Sequence, residues 1–144
     1  MTYVLLAVTT ILWGVWGFAN KVAVTQAHPF HVQWIYSLPL ALLIPLWYFL
    51  GRSQQPDVVL TPSVVLWAAG SGLAAAAAFA LMLFAMQEAS ATSVVAMTAA
   101  YPVVTALIAY FTGMEKLTLG QVVAVLIIIA GVILFELTGS KTSS

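Results

Sequence analysis

Five apolar stretches, running roughly over residues 3–25, 31–50, 63–86, 92–112 and 120–137, take up nearly the whole of this 144-residue chain. A bilayer core about 30 Å thick is crossed by about 20 helical residues rising 1.5 Å each. Each stretch is about that long, so lipid rather than water is the solvent in which most of the chain must fold. Only 6% of the residues are charged, against about 25% in a soluble domain. That excludes an ordinary soluble fold. The predicted class is an all-α, multi-pass integral membrane protein, a bundle of five transmembrane helices. An odd number of crossings places the two ends of the chain on opposite sides of the bilayer. The first stretch is too long for the apolar core of a signal peptide and reads as a retained helix.

The formal net charge is zero, which gives no electrostatic footprint for nucleic acid. With no cysteine in the sequence, disulfides, thiolate metal sites and cysteine nucleophiles are excluded within the chain. The organisation reads as one membrane domain over residues 1–138 and a polar tail over 139–144. A five-helix bundle is a small body for enclosing a solute pathway, so self-association is expected.

Local signals punctuate the spans. Gln26, His28 and Pro29 end the first. The second contains Pro39 and Pro45 and ends on Trp47-Tyr48 and Gly51-Arg52, an aromatic belt followed by a basic anchor. Lipid-embedded helices tolerate such prolines where neighbours re-satisfy the freed carbonyls. Thr61-Pro62 predicts an N-cap with proline at the first helical position. Gly70, Ala74 and Ala78, with Ala75 and Phe79 beside them, read as a packing face of small residues. Thr118-Leu119-Gly120-Gln121 matches a capping box.

Basic residues retained on the cytoplasmic side set orientation. Arg52 and Lys116 lie in connections on the N-terminal side, against Lys21 and Lys141 on or near the other. So even a balance predicts either a narrow preference for an internal N-terminus or insertion both ways, with antiparallel pairing of two copies.

No catalytic constellation is present. His28 and His31 flank Pro29, which argues against one continuous helical face carrying both; an interfacial loop is expected there, and two imidazoles are too few for a metal site. The four acids, Asp57, Glu88, Glu115 and Glu136, all fall near span ends, where a membrane proton relay is not expected. Lys21 either snorkels its ammonium to the interface or lines the mouth of a pathway. Two polar stripes stand out. Thr9, Trp13, Trp16 and Asn20 fall on one face of the first span, and Thr98, Tyr101, Pro102 and Thr105 on one face of the fourth. Hydroxyls, an amide and broad rings offer hydrogen bonds and π surface without fixed charge, as a solute pathway needs; packing between helices is the alternative.

Several runs carry a resemblance. They are Trp13-Gly14 with Phe18-Ala19-Asn20-Lys21; Ala85 to Ala91 leading into Tyr101-Pro102-Val103-Val104-Thr105-Ala106-Leu107; and Gly113-Met114-Glu115-Lys116-Leu117-Thr118 followed by Gln121 and Gly131-Val132. In order and spacing they resemble the EamA domain of the drug/metabolite transporter superfamily across essentially the whole chain. Met114 interrupts the usual Gly-Glu pair, and Ala124 or Val125 stands where a glycine is usual. The resemblance implies a multi-pass carrier of small metabolites in the plasma membrane, the inner membrane of a bacterium. It implies a fold in which two such domains form an inverted ten-helix body, of which this chain resembles one half. It also implies a cavity lined by the first, third and fourth helices.

The expectation is therefore a small-molecule carrier working by alternating access as a homodimer, parallel or antiparallel. Trp13, Trp16, Asn20, Lys21, Thr98, Tyr101 and Thr105 are the expected pathway residues and Pro102 the hinge. No cofactor or metal is expected, nor any enzymatic activity. The rival is a non-transporting membrane subunit, an assembly partner for another carrier half.

Overall fold

The computed structural model describes residues 2–139. Residues 140–144 of the expected polar tail, Lys141 among them, lie outside the described residues. Seven helices are present among the described residues, and they group into five spans of membrane length. The chain divides into two compact units, the first ending at Glu88 and the second beginning at Ala89.

The first unit holds α1 (Thr2–Val24), α2 (Pro29–Leu42), α3 (Ile44–Gln54) and α4 (Pro62–Glu88). Helices α2 and α3 form one span, Pro29–Gln54, interrupted at Leu43. Pro45 has no N–H to offer the carbonyl of Ala41, and its ring crowds that carbonyl. The α2 ladder therefore ends, and the Leu43 N–H turns back to the carbonyls of Pro39 and Leu40, both at 3.2 Å. Pro29 does not disrupt a helix; it starts one. It stands at the first helical position, where a missing N–H costs nothing, and His28 outside it accepts from the Phe30 N–H at 3.3 Å through Nδ1. His31 lies inside the helix, where its Nδ1 accepts from Trp34 Nε1 at 3.2 Å. One histidine thus caps the helix and the other belongs to it.

α1 packs against α2 and α4, and α2 packs against α4. The buried set is Val24, Val32, Phe79, Leu83 and Met86, with Leu83 and Met86 fully inaccessible. Phe79, Leu83 and Met86 are spaced i, i+4, i+7, one face of α4. Of the expected packing face, Phe79 is buried. Gly70, Ala74 and Ala78 are exposed, because α4 engages its neighbours through its C-terminal half. Thr61 caps α4 as its sequence predicts, accepting from the Val64 N–H at 3.4 Å.

The second unit holds α5 (Ala91–Thr98), α6 (Tyr101–Phe111) and α7 (Leu119–Gly139). α7 packs against α5 and α6. Ser90 caps α5, accepting from the Ser93 N–H at 3.0 Å. α5 and α6 form one span, Ala91–Phe111, broken at Ala99–Ala100. The cause repeats that of Pro45: Pro102 cannot donate to the carbonyl of Thr98. α6 closes in a Schellman motif. Gly113 takes φ +71°, its N–H bonds the Tyr110 carbonyl at 3.1 Å, and the Met114 N–H bonds that of Ala109 at 3.0 Å. The capping box opens α7: the Thr118 N–H reaches Gln121 Oε1 at 2.8 Å, and the Gln121 N–H reaches Thr118 Oγ1 at 3.3 Å. Among the described hydrophobic side chains of this unit, only Val94 is buried.

Hydroxyls inside the spans bond their own helix. Thr9 donates to the Leu5 carbonyl at 2.8 Å, Thr10 to Leu6 at 2.9 Å, Ser37 to Gln33 at 2.9 Å and Thr138 to Leu134 at 2.8 Å. No span has more than 6% of its most apolar window buried within the molecule. The outward surfaces are apolar, with Leu5, Ile11, Leu66, Ile127 and Leu134 among the exposed side chains, so lipid or protein must cover them.

Candidate functional site

In the first unit, α1 and α2 diverge around a groove of about 440 Å³ lined by Trp16, Asn20, Gln26, Val32 and Tyr36, with alanines between them. Trp16 lies eight residues, about 12 Å, from the Val24 end of α1, well inside the span. Its ring meets Trp13 edge-on at 5.0 Å, Phe79 at 5.3 Å and Tyr36 at 6.5 Å, and Tyr36 contacts Phe79 at 4.3 Å. Alanines at positions 19, 23 and 27 leave the space that these rings border. Asn20 is 6% exposed and donates through Nδ2 to the Trp16 carbonyl at 2.8 Å. The Trp16 indole N–H is buried and has no hydrogen-bond partner among the described residues, as is the case for Gln33 Oε1 on α2.

Of the first predicted stripe, then, Trp16 and Asn20 line the groove. Trp13 braces Trp16 from outside it and is 59% exposed. The Lys21 ammonium donates to the carbonyl of Met86. That carbonyl is one of the last four of α4, which have no intrahelical donor, and the helix dipole there favours a cation. Lys21 thereby ties the end of the first span to the end of the third.

In the second unit a groove of about 390 Å³ lies along α6 and α7, lined by Tyr101, Pro102, Thr105, Glu115, Gln121 and Val125 among others. Three of the four predicted residues of the fourth span meet here. Thr98 does not, because the turn at Ala99–Ala100 separates it from α6; its hydroxyl bonds the carbonyls of Val94 and Val95 at 2.9 and 3.0 Å. Thr105 bonds the carbonyl of Tyr101 at 3.3 Å. Glu115 is the one ionisable acid or base lining either groove apart from the tyrosine hydroxyls.

Sequence reasoning missed Tyr36 and Gln26 in the first groove and Glu115 and Gln121 in the second. Gln26 carried a signal, as an amide at the end of the first span. The two grooves lie between the first and second spans and between the fourth and fifth. Among the described residues no three histidine, aspartate or glutamate side chains cluster as metal ligands. The grooves offer hydrogen-bonding groups and π faces.

Five membrane-length helices carrying polar and aromatic groups at membrane depth define an all-helical, multi-pass membrane protein. The chain matches the EamA-like transporter family over residues 1–137 and belongs to it, which makes it a membrane transporter of the drug/metabolite superfamily. Members of that family are transporters rather than enzymes. No curated protein and no solved structure matches the chain.

Proposed function

We propose that this chain is one half of a carrier for small organic solutes, completed by a second copy of itself and working by alternating access in the plasma membrane. One bundle rocks against the other around a site near the bilayer midplane. Residues 1–138 form the transport domain, with 139–144 as its tail. The Trp16 indole N–H carries the reading. A buried donor without a partner is held at a cost of about 1–3 kcal/mol, and at membrane depth no water offsets it. A solute bearing an acceptor and a flat ring in the groove removes that cost and stacks on the same aromatic cluster. Asn20 and Tyr36 supply further polar contacts in the same groove; in the second unit, Tyr101 and Thr105 line a groove of their own. Pro102, which frees the Thr98 carbonyl, serves as the hinge.

The experiment is flux into liposomes holding the purified protein alone. Uptake of at least one metabolite-sized solute is expected. Its loss in Asn20→Ala and Tyr101→Ala, and a drop of about tenfold in Trp16→Phe, the scale of one hydrogen bond, identify the pathway. Unchanged flux in all three variants overturns that assignment. No flux of any candidate solute favours the assembly-partner reading. Reporter fusions at Ser144 address pairing: activity on both sides of the membrane supports an antiparallel dimer, and activity on one side excludes it.

A further inference from the structure

The groove of the second unit has the shape and charge of a lipid site rather than of an aqueous pocket. From its start at Leu119 to Ile128, the deepest of its residues that lines the groove, α7 runs about 14 Å at 1.5 Å per residue. That is close to one leaflet, half of a hydrocarbon core about 30 Å thick. Its deep wall is apolar, formed by Ala124, Val125 and Ile128 of α7 with Ala106 of α6. At its mouth stands Glu115, in the connection between α6 and α7. The Glu115 carboxylate makes no hydrogen bond or ion pair with the described residues. The amide oxygen beside it is already engaged: Gln121 Oε1 accepts from both the N–H and the hydroxyl of Thr118, at 2.8 and 2.9 Å. Lys116, next in the chain, places a cation at the same end.

We propose that this groove binds a phosphatidylethanolamine molecule, with one acyl chain along α7 and the ammonium on Glu115. The inference does not rest on the transport reading, since binding is read without flux. The headgroup follows from charge and donors. A primary ammonium gives Glu115 a charge-assisted hydrogen bond, and the adjoining phosphate faces Lys116. Phosphatidylcholine has a quaternary ammonium with no N–H to donate. Phosphatidylglycerol brings an anion with no cation to meet the carboxylate. Ala124 matters for the tail, because a methyl side chain there leaves the groove open.

The test is native mass spectrometry of the full chain in mild detergent with equimolar phosphatidylethanolamine, phosphatidylcholine and phosphatidylglycerol. Phosphatidylethanolamine is expected to be retained about tenfold over phosphatidylcholine, the scale of one charge-assisted hydrogen bond. Glu115→Gln reduces that ratio to near one, Glu115→Asp keeps it, and Ala124→Phe lowers retention of the lipid by filling the groove. The conservative aspartate variant guards against loss of fold as the cause. Equal retention of the three lipids by the unaltered chain overturns the proposal, as does a preference that survives in Glu115→Gln. Displacement of the lipid by millimolar phosphoethanolamine assigns the site to a soluble ammonium compound instead and overturns it as well.

Discussion

The two units of this chain solve the same problem in opposite ways. The first has an interior: Val24, Val32, Phe79, Leu83 and Met86 are buried, Asn20 is buried with them, and three rings gather around that of Trp16. The second has termini in good order, with a serine cap, a Schellman turn and a capping box, yet Val94 alone is buried among its described hydrophobic side chains. Lipid tails are as apolar as leucine, so burial in a membrane is stabilised by close packing rather than by escape from water. The first unit uses side-chain packing between spans. The second is specified by backbone and cap hydrogen bonds within each helix and leaves its faces for whatever covers them.

The sharpest test of that contrast is cavity formation. Leu83→Ala removes a fully inaccessible side chain and is expected to destabilise by about 2–5 kcal/mol, whereas Leu134→Ala, at a position 62% exposed, stays within about 0.5 kcal/mol. Unfolding by denaturing detergent in mixed micelles measures both. Comparable losses at the two sites break the comparison. Lys21→Met comes next. It takes the ammonium from the Met86 carbonyl and leaves an acceptor without its charged donor, with an expected loss of about 1–3 kcal/mol; Lys21→Arg retains most of the stability. In the second unit, Thr118→Val is expected to lose about 1 kcal/mol through the capping box. A double-mutant cycle with Gln121→Leu should show the two effects to be coupled. The smallest effect on stability is expected from Pro102→Ala. It returns an N–H to the Thr98 carbonyl, joins α5 to α6, and slows amide exchange at Ala99 and Ala100; unchanged exchange there sinks proline as the cause of the break.

Much of the fold was legible because lipid makes the code simple. A run of about 20 apolar residues has few alternatives to a spanning helix, and caps such as Thr61 and Thr118 are written within three residues of the groups they satisfy. The exceptions share a cause. Pro39, Pro45 and Pro102 were visible, but whether a proline bends a helix or divides it depends on what receives the freed carbonyl. Pro45 and Pro102 divide their spans, while Pro39 remains inside α2. The division at Ala99–Ala100 is what removes Thr98 from the groove occupied by Tyr101 and Thr105. The partner of Lys21 is 65 residues away, and the contact of Trp16 with Tyr36 depends on the register of two helices. Neither is encoded locally. The small residues of α4 stay exposed within the chain, because a stripe says which faces can approach and not which partner they meet.

The hydroxyls bonded back to their own helices have a consequence for how the chain is made. Thr9, Thr10, Ser37 and Thr138 each find an acceptor three or four residues earlier on the same span. None of these side chains waits for a neighbouring helix before it can enter hydrocarbon. As far as these hydroxyls are concerned, each such span can therefore leave the insertion machinery singly and meet its partners later by lateral diffusion. Assembly then becomes a separate event from insertion, open to a partner synthesised on another ribosome.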